Sequence, residues 1–240
     1  SIAGPNIILN TIVAEELRQF ADQLEKAKDF KAELQKLIKK TIKDHKRIIF
    51  NGDGYSAEWE KEAAKRGLLN LKTTPEALPT FISKKNIKLF TQHKVYTESE
   101  MRSRYEIMME NYCKTIHIEA LTMIDMVKKS VIPAVLGYEN ELMSLVSGKK
   151  ALSVSCSLEE NLLDKISRLS DCMYQKLGVL ENAVLGADEI TDTQELGTYH
   201  REQIFMNMQN LRETVDELET MVSSEYWTLP TYGEMLYSVI

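Results

Sequence analysis

The sequence predicts a mainly α protein whose second half is an antiparallel bundle of long helices. Only 10 Gly and 5 Pro interrupt 240 residues. Between them apolar residues recur at helical spacing, and the alternating Val/Ile/Thr segments that would mark strands are nearly lacking.

The opening segment, Ser1 to Glu15, reads as a tight Gly4-Pro5-Asn6 turn feeding an apolar helix over 7–27, with Asn6 or Asn10 offering a cap to the first-turn N–H groups. Ile7, Ile8, Leu9, Ile12 and Val13 give that helix apolar surface on several sides, so the opening reads as the interior of a longer protein. A second helix is expected over 30–47, capped by Asp29. It carries Lys36, Lys39, Lys40, Lys43, Lys46 and Arg47, but Leu34, Leu37, Ile38 and Ile42 recur beside them. The lysines are therefore read as the wet face of an amphipathic helix rather than a phosphate site. Ile48-Ile49-Phe50 then enters the turn-rich Asn51-Gly52-Asp53-Gly54-Tyr55-Ser56, and Ser56 should cap a short helix that stops with Gly67 at C′. Thr74 can cap, and Pro75 can open, a short helix or turn after it.

Thr97-Glu98-Ser99-Glu100 is a capping box, which predicts a helix that runs, with breaks, to about Val146. Pro133 removes one ladder hydrogen bond and should kink it. Gly148 is expected to end this run. Leu158, Leu162, Ile166, Leu169, Met173, Leu177 and Leu180 follow at helical spacing, while Ile204, Met208, Leu211, Val215, Leu218 and Val222 form a heptad seam. Short connections at 148–157 and 186–193 fold these helices into an antiparallel three-helix bundle. A two-stranded coiled coil would need longer seams. Trp227 to Gly233 has rigid aromatics and no helical period, and should pack back as an extended tail.

Composition excludes some function classes. The net charge of -6, from 36 acidic and 30 basic residues, argues against a nucleic-acid footprint. No apolar run is long enough for a membrane span. Cys113, Cys156 and Cys172 are an odd number without a CxxC pair, which fits buried thiols in a reducing, cytoplasmic setting.

Chemistry is sparse. His45, His93, His117 and His200 are scattered, none in an HExxH or Cys/His ligand spacing. His117 and Glu119, two apart on a helix, do not face the same way. All four are read as partly exposed helix histidines. The Asn51–Tyr55 loop resembles the start of a phosphate cradle or of a calcium loop, but neither signature completes. Counted as an EF-hand from Asn51, Glu62 falls twelfth, yet Tyr55 and Ser56 replace the fifth-position ligand and the sixth-position glycine. Counted from Asp53, the twelfth is Ala64. A structural turn is the simpler reading, with a small-ligand or metal-binding regulatory loop as the alternative. Met108, Met109, Met123, Met126 and Met143 are read as core fillers. No catalytic, cofactor-binding or metal residue is assigned.

Five blocks carry a resemblance. They are Gly4 to Glu15, His45 to Ser56, Arg66 to Thr74, Ser103 to Ile107 and Ile118 to Ile124. In order and length these resemble the C-terminal part of type III glutamine synthetase, strongly over 1–137 and more loosely beyond. The resemblance implies that residues 1–112 are the closing helices of a glutamine synthetase catalytic domain and 113–240 a type III helical extension with a C-terminal tail. It implies an ATP-dependent glutamate-ammonia ligase using Mg or Mn, assembled as a homo-oligomeric double hexameric ring, with its catalytic strands upstream of Gly4. No catalytic residue of the family falls on a position of this chain. The expected role is structural, and a free-standing helical interaction module that grips a partner helix through the 204–222 seam is the alternative.

Overall fold

The computed structural model describes residues 2–230 and 232–237, and among them every regular element is helical. The chain divides into two compact units, Ser1–Met108 and Met109–Ile240.

The first unit holds α1 (Ala3–Leu24), α2 (Phe30–Asp44), a 3₁₀ turn at Lys46–Ile48, α3 (Ala57–Lys65), α4 (Thr74–Phe81) and α5 (Lys84–Gln92). The expected Gly4-Pro5-Asn6 turn lies inside α1, which starts without a side-chain cap. The reason is local. The first four N–H groups of a helix have no intrahelical partner, so Pro5 sacrifices nothing there and its fixed φ already suits the helix. Asp29 caps α2, its Oδ1 accepting from the Ala32 N–H at 3.1 Å, and Ser56 caps α3 through the Trp59 N–H at 3.2 Å. For α4 the cap is Thr73, one residue before the expected Thr74, and Glu76 reaches back to accept from the Thr73 N–H at 3.1 Å. The α5 helix had no counterpart in the sequence reading. Its signal was Ser83 at the N-cap position ahead of Ile87 and Phe90, and Phe90 is buried between Phe81 and Tyr96, ring centroids 5.9 and 5.6 Å away.

Only Leu37 of the α2 apolar series is buried; Ile38 and Ile42 stand exposed at 51% and 56% beside the lysines. The amphipathic helix is present, but its apolar face is only partly covered. On α1, Leu9, Ile12, Val13 and Leu17 are 44–61% exposed.

The capping box at Thr97 forms as expected, the Thr97 N–H donating to Glu100 Oε2 at 2.8 Å and the Glu100 N–H to Thr97 Oγ1 at 3.2 Å. It opens α6 (Glu98–Met126), which leads through a π turn at Val127–Val131 into α7 (Ile132–Ala151). The π turn lies just before Pro133, where the proline takes one donor out of the ladder. Gly148 does not end α7. A lone glycine inside a helix costs about 1 kcal/mol, which a packed helix absorbs. The stop comes at Ser153, whose left-handed φ of 57° lets its N–H reach Lys150 O at 3.0 Å and the Val154 N–H reach Lys149 O at 2.9 Å. The same double hydrogen bond closes α3 at Gly67 and α5 at Lys94, with φ of 69° and 55°.

The second unit is a bundle. α8 (Ser157–Gly186) packs against α7 on one side and against α10 (Met206–Glu219) on the other; α9 (Thr193–Tyr199) and a π turn at His200–Phe205 lead into α10. The seam is real: Ile204, Leu211 and Leu218 are completely buried and Met208 nearly so, against Ile166, Met173, Leu177 and Leu180 of α8 and Val131, Val135 and Leu142 from the π turn and α7. Tyr226, Trp227 and Leu229 pack on this core, so the tail does fold back. It turns helical again in α11 (Tyr232–Tyr237) rather than staying extended; Thr231, and the side chains of Tyr232 and Gly233, lie outside the described residues.

Candidate functional site

In the first unit the polar group that gathers the most side-chain hydrogen bonds among the described residues is Glu15. Its position on α1 places the carboxylate against α5, where it accepts from Arg18 on its own helix at 2.8 and 3.0 Å, from Gln19 at 2.8 Å and from Gln92 at 3.2 Å. His93 Nε2 lies 2.6 Å from Glu15 Oε2. Hydrogen bonds from Arg18 first, then from Gln19 and His93, hold the Glu15 carboxyl far below the usual carboxylate range. An open cleft of about 500 Å³ beside it is lined by Ile12, Glu16, Arg18, Lys85, Lys88 and Leu89. Charges of both signs line it, so it favours no one class of ionic ligand.

The Asn51–Tyr55 loop is an Asx turn: Asp53 Oδ1 accepts from the Tyr55 N–H at 2.9 Å and Asp53 O from Ser56 Oγ at 3.2 Å. Its flanks close by packing. Phe50 stacks on Trp59 at 3.8 Å, and Arg66 lies over Trp59 at 5.3 Å while donating to the Ile49 carbonyl at 3.1 Å. Tyr55 points fully into solvent. The geometry explains the loop as a connection between the apolar 48–50 segment and α3.

The histidines differ from expectation at one position. His45 is exposed and His93 and His117 half-buried, but His200 is only 3% exposed. It opens the second π turn, its Nδ1–H donating to the Leu196 carbonyl at 2.9 Å, with the His117 ring 6.3 Å away between centroids. The tautomer follows from the acceptor, since a carbonyl can only accept. Burial pushes the His200 imidazole below its ordinary range. Two further expectations change with side-chain packing. Cys113 and Cys156 are buried, but Cys172 is only half-buried. Met109 is completely buried, whereas Met108, Met126 and Met143 are exposed at 40–53%.

Glu139 on α7 is shifted the other way from Glu15; burial raises it, with Asp171 adding to this, and the Ser170 hydroxyl donating at 3.2 Å offsets part of it. Nowhere among the described residues do three or more His, Cys, Asp or Glu side chains converge to hold a metal ion. No helix among the described residues is long and apolar enough to cross a membrane.

Among the described residues the fold is all-helical, with capped helix ends in the first unit and a buried seam in the second. Comparison with known proteins gives it a family. The family model for the glutamine synthetase C-terminal domain matches residues 33–150. A glutamine synthetase of Butyrivibrio fibrisolvens is 40% identical over 213 residues, covering 88% of this chain and 30% of that protein. The type-3 glutamine synthetase of Dictyostelium discoideum is 33% identical over 246 residues, covering 97% of this chain and 33% of that protein. A glutamine synthetase of Bacteroides fragilis is 26% identical over 248 residues, again with 98% of this chain and 34% of the relative. The chain belongs to the glutamine synthetase family, in which it corresponds to the C-terminal portion of type III members. It spans about a third of the length of the curated relatives it matches.

Proposed function

We propose that this chain is the helical, non-catalytic part of an ATP-dependent glutamate-ammonia ligase subunit, and that it acts through packing and ring assembly. The observation that carries the reading is the exposed aliphatic stripe Leu9, Ile12, Val13 and Leu17 on α1. A stripe of this kind marks a surface that packs on further protein. On this reading the glutamate, ammonia, ATP and Mg or Mn sites belong to the two-thirds of the relatives' length that the chain does not span. The complete subunit works in the cytoplasm as a homo-oligomer, a double hexameric ring, without nucleic acid or membrane.

Assaying the 240-residue polypeptide for ATP-dependent glutamine formation tests the catalytic half of this claim. No product is expected, and measurable turnover would overturn it. The rival reading, a free module gripping a partner helix through the 204–222 seam, needs that seam accessible; Ile204, Leu211 and Leu218 are instead sealed in the core with α8.

A further inference from the structure

We propose that His200 and His117 form a proton-sensitive latch, which seats α9 and the following π turn on α6 at neutral pH and releases them on acidification. Four observations within the second unit meet here. His200 is buried at the first position of the π turn, and its Nδ1–H is committed to the Leu196 carbonyl on α9. The second imidazole, His117 on α6, faces it at 6.3 Å between centroids. α9 is the N-terminal end of a helical run that continues through the π turn into α10, and helix ends open more readily than helix interiors. Finally, α9 lies close on α6, since a Cβ at Gly197 would come within 2.3 Å of Met109 Sδ.

The surrounding charges favour release rather than compensating it. From α6 the ionisable neighbours are His117, with Tyr112, Cys113 and Glu119 on the adjoining turns. On the π turn itself Arg201 follows His200, its guanidinium lying over Phe205 at 4.4 Å. From α8 the Ala183 carbonyl accepts from the Tyr199 hydroxyl at 3.0 Å, while the flanking Lys176 and Glu181 are engaged by Thr214 and Lys128. Among the described residues the His200 ring meets the Leu196 carbonyl and the His117 ring. A proton added to the His200 ring therefore lies in a buried site with the His117 ring beside it and the Leu196 carbonyl already taken by Nδ1–H.

The sign follows from burial. The seated state disfavours the His200 proton, and the released state takes it near the ordinary histidine range of about 6.5. Seating is therefore intact above that pH and weakens as pH falls below it.

Hydrogen–deuterium exchange of the full 240-residue chain, at pH 7.5 and 5.5 and corrected for intrinsic rates, tests the latch. Amides of 193–206 are expected to exchange about tenfold faster at the lower pH, while those of α8 hold. His200→Gln keeps a donor for Leu196 O but cannot take the proton, so its exchange in this segment should not accelerate. An unchanged native segment, or equal acceleration in His200→Gln, overturns the proposal. Should that variant not fold, an NMR titration of the native imidazoles decides, because the His200 ring and the Leu196 amide must titrate with one midpoint. Separate midpoints overturn the proposal as well.

Discussion

Glu15 and His93 meet at 2.6 Å where α1 crosses α5, both side chains largely withdrawn from solvent. They are 78 residues apart in sequence, so no local pattern could announce the contact. With Arg18, Gln19 and Gln92 donating to the same carboxylate, this is the densest polar contact between two helices of the first unit. Glu15→Gln should lower the thermal midpoint at neutral pH, since it removes the charge that four donor side chains address. Because the native carboxyl is held below its usual range, its contribution is complete above the unfolded carboxylate range and is lost as pH falls through and below it. The gap between the two melting curves should therefore close on acidification. A gap that stays constant from pH 7 to pH 3 would contradict the assignment.

Helix stops give a second test. Ser153 and Gly67 occupy the same left-handed C′ position in two different helices. A non-glycine residue there costs about 1–2 kcal/mol, partly returned by its lower unfolded-state entropy. Ser153→Gly is expected to stabilise by about 0.5 kcal/mol and Gly67→Ala to destabilise by about 1 kcal/mol. Urea midpoints of the two variants should move in opposite directions, and a shared direction would refute the cap geometry.

These two sites show what was legible. Caps whose partners lie three residues away, Asp29, Ser56 and the Thr97–Glu100 box, could be read because donor and acceptor are adjacent in sequence. The 204–222 seam could be read because burial repeats with the helix. The stop at Ser153 could not, since glycine is the usual sign for a left-handed residue and Gly148 stood nearby as a decoy. Nor could the burial of His200, which depends on α6 lying across it 83 residues away. The exposure of Ile38 and Ile42 shows the same limit, because periodicity says which residues share a face and not whether anything covers it.

Close packing of α9 on α6 yields a third prediction. Gly197→Ala should gain about 1 kcal/mol of helix propensity, but the added methyl would sit 2.3 Å from the sulfur of Met109. Met109 is completely buried, so it cannot swing away, and overpacking of this kind costs about 1–3 kcal/mol. A net loss of about 1 kcal/mol is expected in denaturant unfolding. In a Met109→Ala background the same substitution should become neutral or stabilising. Equal losses in both backgrounds would rule the contact out as the cause.

The seam can be separated from the surface by size of effect. Leu211 is completely buried between α10 and α8, whereas Leu185 on α8 is 66% exposed. Leu211→Ala should cost about 3 kcal/mol, and Leu185→Ala no more than about 0.5 kcal/mol. Comparable losses at both positions would mean that α8 and α10 do not form the bundle in solution.

The α1 stripe provides the test that joins fold to proposed role. Val13 and Leu17 are one helical turn apart and both more than half exposed, so replacing them in this chain removes little packing. Val13→Lys with Leu17→Lys should change the unfolding free energy of the 240-residue polypeptide by no more than about 1 kcal/mol, as surface substitutions do. If the stripe packs on the remainder of a ligase subunit, the same pair placed in a full-length subunit buries two unpaired ammonium groups, and buried unpaired charge is not tolerated. Assembled rings should then be lost on size-exclusion chromatography while the isolated chain stays folded by circular dichroism. Normal rings from the doubly substituted full-length subunit would show that α1 faces solvent there, and the packing role would have to rest on another surface.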